Sequence, residues 1–274
     1  MPTYTSGALR LNYQEIGSGH PLVLLHGFGQ HSGAWMEPAT ALSKFFRVLV
    51  PDMRGCGLSD TASPGFTTRD LAADVVALLD HLSLPRAHFS GWSLGGAVGL
   101  ELGIGHRERL HSLALHSTFA GGRADYQKNW IAMRKQIILS GDKELDMATR
   151  IIGFFSPEFV NEHPERIADF KRRELSNPHP GTEIGLAGQN SAAQQHEARD
   201  RIHLISVPTL ITVGSADRTT LPAASKLMNE KIKGSELFIF DNAGHFPAFQ
   251  MFDEFVSVSL GFAIKHTPQA VSTI

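Results

Sequence analysis

The sequence predicts an α/β architecture: a mostly parallel central sheet flanked by helices, with a helical insertion. Three observations carry this expectation. Short apolar runs alternate with helical runs over the first 118 residues, and the same alternation resumes after residue 207. The stretch between them, about Phe119 to Leu204, shows helical spacing without clear strands. Strands buried on both faces read as continuous apolar runs, and strand–helix–strand alternation builds a parallel sheet.

The elements follow in order. PLVLLHG (Pro21 to Gly27), FRVLVPD (Phe46 to Asp52), AHFSGW (Ala87 to Trp92) and HSLALHS (His111 to Ser117) read as buried strands. Between them, Thr68 to Leu82 places Leu71, Val75, Leu78, Leu79 and Leu82 on one helical face, with Thr68 as N-cap and Pro85 as stop. Leu94 to His106 is a helix of small residues, suited to close packing on a sheet. After residue 207, PTLITVGS is a strand, Pro222 to Lys231 a helix, SELFIFDNAG a strand and Phe249 to Lys265 a final helix. The insertion carries helical stretches at Tyr126 to Leu139, Leu145 to Phe155, Pro164 to Leu175 and Gly181 to Ala198. The division expected is a core of residues 1–118 and 205–274 and a helical cap of residues 119–204.

Composition narrows the function. The 274 residues carry 25 basic and 27 acidic side chains, a net charge of -2. A nucleic-acid or anionic-membrane surface needs a basic excess, so neither partner is expected. One cysteine, Cys56, excludes an internal disulfide and a cysteine-built zinc site. No apolar run reaches the 18 or so residues of a membrane helix, and the N-terminus lacks a signal-peptide pattern, so a cytoplasmic protein is expected.

The chemistry starts at Gly91-Trp92-Ser93-Leu94-Gly95, a G-x-S-x-G pattern where a buried strand ends and a helix begins. That is the context a strained nucleophile turn requires, with glycines where side chains would strike the neighbouring strand and helix. Serine needs a base. His245, in Asn242-Ala243-Gly244-His245 after the last strand, projects from the same sheet edge as Ser93 if the strands are parallel. The base needs an acid, and Asp217 lies just past the strand TLITVG. The preceding strand ends in His116-Ser117-Thr118 and offers no carboxylate. His26-Gly27-Phe28-Gly29 follows the first long strand, so the Phe28 and Leu94 N–H groups are the expected oxyanion donors. His26 reads as a structural histidine. Trp92, Phe246 and the insertion's Phe119, Trp130 and Phe154 are candidates for an apolar substrate pocket, or for core.

Two other patterns are set aside. Gly55-Cys56-Gly57 lacks the third glycine of a dinucleotide loop, since position 60 is Asp60. Arg54 and Asp60 read as ties for that loop and Cys56 as a packed thiol. No His-Glu-x-x-His pattern occurs, and His163 with Glu165 reads as surface, so no metal site is expected.

The segments HGFG (26–29), DMRGCGLSD (52–60), GWSLGG (91–96), GSADRTTLP (214–222) and NAGHFP (242–247) together resemble the α/β-hydrolase-fold serine hydrolases. The pattern is similar to pimeloyl-carrier-protein methyl ester esterases, 3-oxoadipate enol-lactonases and cofactor-free perhydrolase-type esterases. Phe28-Gly29 stands where the methyl ester esterases carry a tryptophan. The resemblance implies the α/β-hydrolase fold, Ser93, Asp217 and His245 as triad, Phe28 and Leu94 as oxyanion donors, and no cofactor. The expected activity is cleavage of a small to medium carboxylic ester with an apolar portion through an acyl-enzyme on Ser93. An enol-lactonase, a thioesterase, a carbon–carbon bond hydrolase and a slow-turnover ligand sensor are the alternatives.

Overall fold

The computed structural model describes residues 1–63, 65–121, 125–176 and 181–268. Within it, eight strands form one sheet in the order β1-β2-β4-β3-β5-β6-β7-β8. They are β1 (Thr3–Ser6), β2 (Leu9–Ile16), β3 (His20–Leu25), β4 (Phe46–Pro51), β5 (Ala87–Trp92), β6 (Leu110–His116), β7 (Thr209–Gly214) and β8 (Glu236–Phe240). From β4 to β8 every neighbouring pair is parallel; β1–β2 and β2–β4 are antiparallel. The α/β-hydrolase architecture expected from the sequence is therefore present.

The hairpin β1–β2 has no counterpart among the strands read from the sequence. Its second strand carries a buried polar residue, Asn12, whose amide donates to Asp52 Oδ2 at 2.8 Å. A polar side chain facing inward hides the alternation by which a half-exposed strand is recognised.

The helices are α1 (Met36–Leu42), α2 (Thr68–His81), α3 (Leu94–Gly105), α4 (Asp125–Ser140), α5 (Lys143–Phe154), α6 (Pro157–Glu162), α7 (Pro164–Leu175), α8 (Glu183–Gln195), α9 (Pro222–Lys231), α10 (Pro247–Gln250) and α11 (Phe252–Lys265). Helix α2 is capped by Thr67, one residue before the expected Thr68. The Thr67 side chain accepts from the Asp70 N–H while Asp70 reaches back to the Thr67 N–H, a reciprocal cap. The expected single terminal helix is two, because the chain breaks at Met251 (φ -117°, ψ 49°). Helices α1 and α6 are short and were not read from the sequence; each has proline in or beside its first turn.

Helices α2 and α3 pack on one face of the sheet, where Leu71, Val75, Leu78, Val98 and Leu102 join Phe89, Leu113 and Ile211. Helices α1 and α11 cover the other face, where Leu42 and Phe255 join Phe46 of β4 and Phe240 of β8. The five helices α4 to α8 lie between β6 and β7 in the chain, and Met147, Ile151, Phe155, Phe159 and Phe170 continue the second core into them. No helix among the described residues is long and apolar enough to cross a membrane.

Candidate functional site

Parallel strands send all their C-terminal loops to one edge of the sheet. Four of those loops carry the residues singled out above. Ser93 follows β5, Asp217 follows β7, His245 follows β8, and His26 to Gly29 follow β3.

Ser93 takes φ 56° and ψ -114° as the residue before α3. A non-glycine residue there is strained, by about 1–3 kcal/mol, and persists only where its surroundings hold it. The neighbours supply that hold. A Cβ on Gly91 would lie 2.3 Å from the Gly95 carbonyl oxygen, and one on Gly95 would lie 2.4 Å from the Leu25 carbonyl oxygen. Glycine at both positions lets strand, turn and helix close on one another. Thr118 donates its hydroxyl to the Ser93 carbonyl at 2.6 Å, and the Ser93 N–H donates to the His116 carbonyl at 2.9 Å.

His245 Nδ1 lies 2.9 Å from Asp217 Oδ2, and both side chains are almost fully buried. Asp217 Oδ1 accepts the backbone N–H groups of Thr219 (2.8 Å) and Thr220 (2.9 Å), and Oδ2 accepts the Thr220 hydroxyl (2.8 Å). A carboxylate with this many donors is held in one orientation. An imidazole facing it places its proton on Nδ1 and leaves Nε2 as the basic nitrogen. The Trp92 indole donates to the His245 carbonyl at 2.8 Å and stacks on Phe246 with centroids 4.2 Å apart, so the base loop is fixed from the strand that carries Ser93.

Ser93 and His245 line one cavity of about 50 Å³ together with Phe28 and Leu94. Trp92, Trp130 and Phe154 line it too, as does Arg134. Among the described residues neither the Phe28 nor the Leu94 N–H is engaged by another hydrogen bond. Leu94 opens α3, where the helix dipole favours negative charge. Phe119 and Phe246, expected as pocket candidates, lie outside this lining. Phe119 is buried in the sheet core edge-on to His196, and Phe246 is buried in the second core, stacked on Trp92. An aromatic next to the base in sequence was directed inward by the stack it could form.

His26 sets the loop that follows β3. Its Nε2 accepts the Met53 N–H at 3.0 Å, so Nδ1 carries the proton and donates to the Gly27 carbonyl at 2.8 Å. The Gln30 N–H reaches the same carbonyl at 3.2 Å. Fixing that carbonyl fixes the plane of the Gly27–Phe28 peptide, and in a trans peptide the Phe28 N–H then points the opposite way. Burial holds the His26 pKa down to about 4, so the ring is neutral at pH 7.

Three contributors lie outside the motifs of the sequence. Gln189 of α8 is fully buried; its Oε1 accepts the Gly29 N–H at 3.0 Å, and its amide nitrogen donates to the Arg54 carbonyl at 3.2 Å. Thr220 braces Asp217. Arg134 of α4 is buried, ion-paired with Asp146 at 2.6 Å and bonded to Thr149, and burial lowers its pKa. A lone polar residue inside a helix matches no motif; the dense TT after Asp217 was the one readable hint.

The loop 52–60 behaves as a structural tie. Arg54 Nε bonds Asp74 at 2.8 Å, and the Asp60 carbonyl accepts the Gly55 N–H at 3.0 Å. Burial raises the Cys56 thiol to about 12, which leaves it unreactive at neutral pH. His163 and Glu165 are exposed. Among the described residues no His, Cys, Asp and Glu group is arranged to hold a metal ion.

The chain belongs to the alpha/beta hydrolase fold family, whose model matches residues 20–251. Among its relatives, the pimeloyl-[acyl-carrier protein] methyl ester esterase of Vibrio cholerae serotype O1 is 30% identical over 94% of this chain and 99% of its own. The 3-oxoadipate enol-lactonase 1 of Acinetobacter baylyi is 29% identical over 88% of this chain and 87% of its own. The solved thermophilic esterase from Thermogutta terrifontis superposes with a TM-score of 0.85 at 26% identity, covering 97% of this chain and 99% of that one. With this fold and these relatives, the chain is a hydrolase.

Proposed function

We propose that the protein is a serine hydrolase that cleaves a small to medium carboxylic ester through an acyl-enzyme on Ser93, with residues 119–204 forming a cap over the site. The observation that carries the reading is the buried His245–Asp217 contact of 2.9 Å at the wall of a cavity that Ser93 also lines. Ser93 Oγ attacks the ester carbonyl as His245 Nε2 takes its proton. Asp217 keeps the Nδ1 proton in place and stabilises the imidazolium. The Phe28 and Leu94 N–H groups receive the oxyanion; in such sites a single donor is worth about 2.7–4 kcal/mol of transition-state stabilisation. The tetrahedral intermediate collapses, His245 hands its proton to the leaving alkoxide, and the alcohol departs. Water then attacks the acyl-enzyme, giving a proton to His245, and the acid is released as that proton returns to Ser93. Every step uses groups of this chain and one water.

The same machinery opens a lactone, which is an internal ester. The enol-lactonase relative at 29% identity supports that as the second reading. Steady-state hydrolysis of p-nitrophenyl acetate and of a lactone separates the two. In either case Ser93→Ala should lower turnover by about 10⁴-fold or more while the far-UV spectrum is unchanged. Wild-type turnover in Ser93→Ala would refute the reading.

A further inference from the structure

We propose that an apolar groove on the outer side of Trp130 is the subsite for the alcohol portion of the ester, and that this portion is an extended apolar chain. The inference rests on the serine-hydrolase reading of Ser93 and His245 and adds the shape and polarity of the leaving group.

Volume is the first observation. A water-sized occupant needs about 10–15 Å³ of such space, so the cavity of about 50 Å³ around Ser93 seats an ester carbonyl and a few attached atoms. A longer substituent must leave it. A second hollow of about 490 Å³, lined by Trp130, Met133, Ile152, Gly153 and Thr219, adjoins it, and Trp130 and Thr219 belong to both. The hollow also has Arg218 and Asn129 in its lining.

The wall between the two is thin. The Trp130 indole lies against Gly153, where a Cβ would come within 2.9 Å of Trp130 Cζ2. The Thr219 hydroxyl donates to the Gly153 carbonyl at 3.0 Å. The Trp130 indole and the Thr219–Gly153 hydrogen bond lie along the seam between α5 and the turn that carries Asp217. Beyond the seam, Met133 is 43% and Ile152 64% exposed. Met133 and Ile152 thus offer apolar surface to the same hollow that Trp130 lines.

The side on which the groove opens selects the substrate portion. The general acid must reach the leaving oxygen, so the alcohol lies toward His245. The groove shares Thr219, from the turn that orients His245, and shares neither Phe28 nor Leu94, which face the carbonyl oxygen. The alcohol portion is therefore the part that passes Trp130, and the acyl portion stays small.

The test uses the full chain and two ester series. One varies the alcohol from methyl to octyl acetate; the other varies the acid from methyl acetate to methyl octanoate. Each methylene seated in the groove should raise kcat/KM about three- to fourfold in the alcohol series, with a shallower rise in the acid series. Ile152→Glu, a change at an exposed position that leaves the thermal melt in place, should lower the octyl-to-methyl ratio of the alcohol series about tenfold and leave the acid-series ratio as it was. An alcohol series that is flat in the wild type, or an acid-series ratio that falls instead, overturns the groove assignment while the hydrolase reading stands. Absence of turnover with every ester overturns both.

Discussion

Ser93 holds a backbone conformation, φ 56°, that a side chain resists and that a glycine would adopt freely. The strained residue sits at the strand–helix corner and lines the cavity. It has a measurable consequence. Ser93→Gly should melt higher than Ser93→Ala, because alanine keeps the strained Cβ and glycine releases it. Differential scanning calorimetry of the two variants checks this, and equal melting temperatures would argue that the turn is unstrained. The positions of Ser93, Asp217 and His245 were legible because each lies just past a strand, where sequence and geometry agree. Phe119 and Phe246 were not, since an aromatic beside a site serves equally as wall or as core, and the choice is made by neighbours far away in sequence. Arg134 and Gln189 are polar residues on helices without a pattern, visible only once the helices are packed.

At the scale of elements, α8 reaches across to the loop after β3 through one side chain, Gln189. Gln189 satisfies the Gly29 N–H and the Arg54 carbonyl at once, joining the insertion to two core loops. Replacing it with leucine fills the volume but leaves the Gly29 N–H without its acceptor and the Phe28 peptide less fixed. Gln189→Leu should lower kcat about 10- to 100-fold with little change in KM, because small displacements near reacting groups cost about that much. Gln189→Glu, which keeps the acceptor, should recover part of the loss. Steady-state kinetics on an ester decides this, and an unchanged kcat would remove Gln189 from the positioning of the loop. The buried parallel strands β3 to β7 were readable as apolar runs. The β1–β2 hairpin was obscured by Asn12, and the α10–α11 break at Met251 interrupts a stretch whose composition is helical throughout.

For the whole molecule, three histidines sit neutral in the interior. Burial holds His26 down to about 4, and His88 and His116 to about 3. Unfolding returns each to about 6.5, so between these values the unfolded chain binds more protons than the native one. Their contribution to stability is complete above about pH 6.5 and is lost as pH falls toward 4 for His26 and 3 for the others. Each should add about 1.4 kcal/mol per pH unit to the slope near pH 5. Urea denaturation at pH 7, 6 and 5 should show a midpoint that drops steadily; a constant midpoint would mean the rings are hydrated in the native state. The sheet, its covering helices and the order of the three loops were predictable because they rest on local patterns. The insertion of α4 to α8 between β6 and β7 was expected as a helical cap, while the contacts its helices make depend on tertiary packing and carry no local pattern. The central claim is that Ser93 is the activated nucleophile. Reaction with a fluorophosphonate followed by peptide mapping measures this most directly. A single adduct on the peptide containing Ser93, with parallel loss of ester turnover, is the predicted result; an adduct on a different residue, or full turnover after Ser93 is modified, would contradict it.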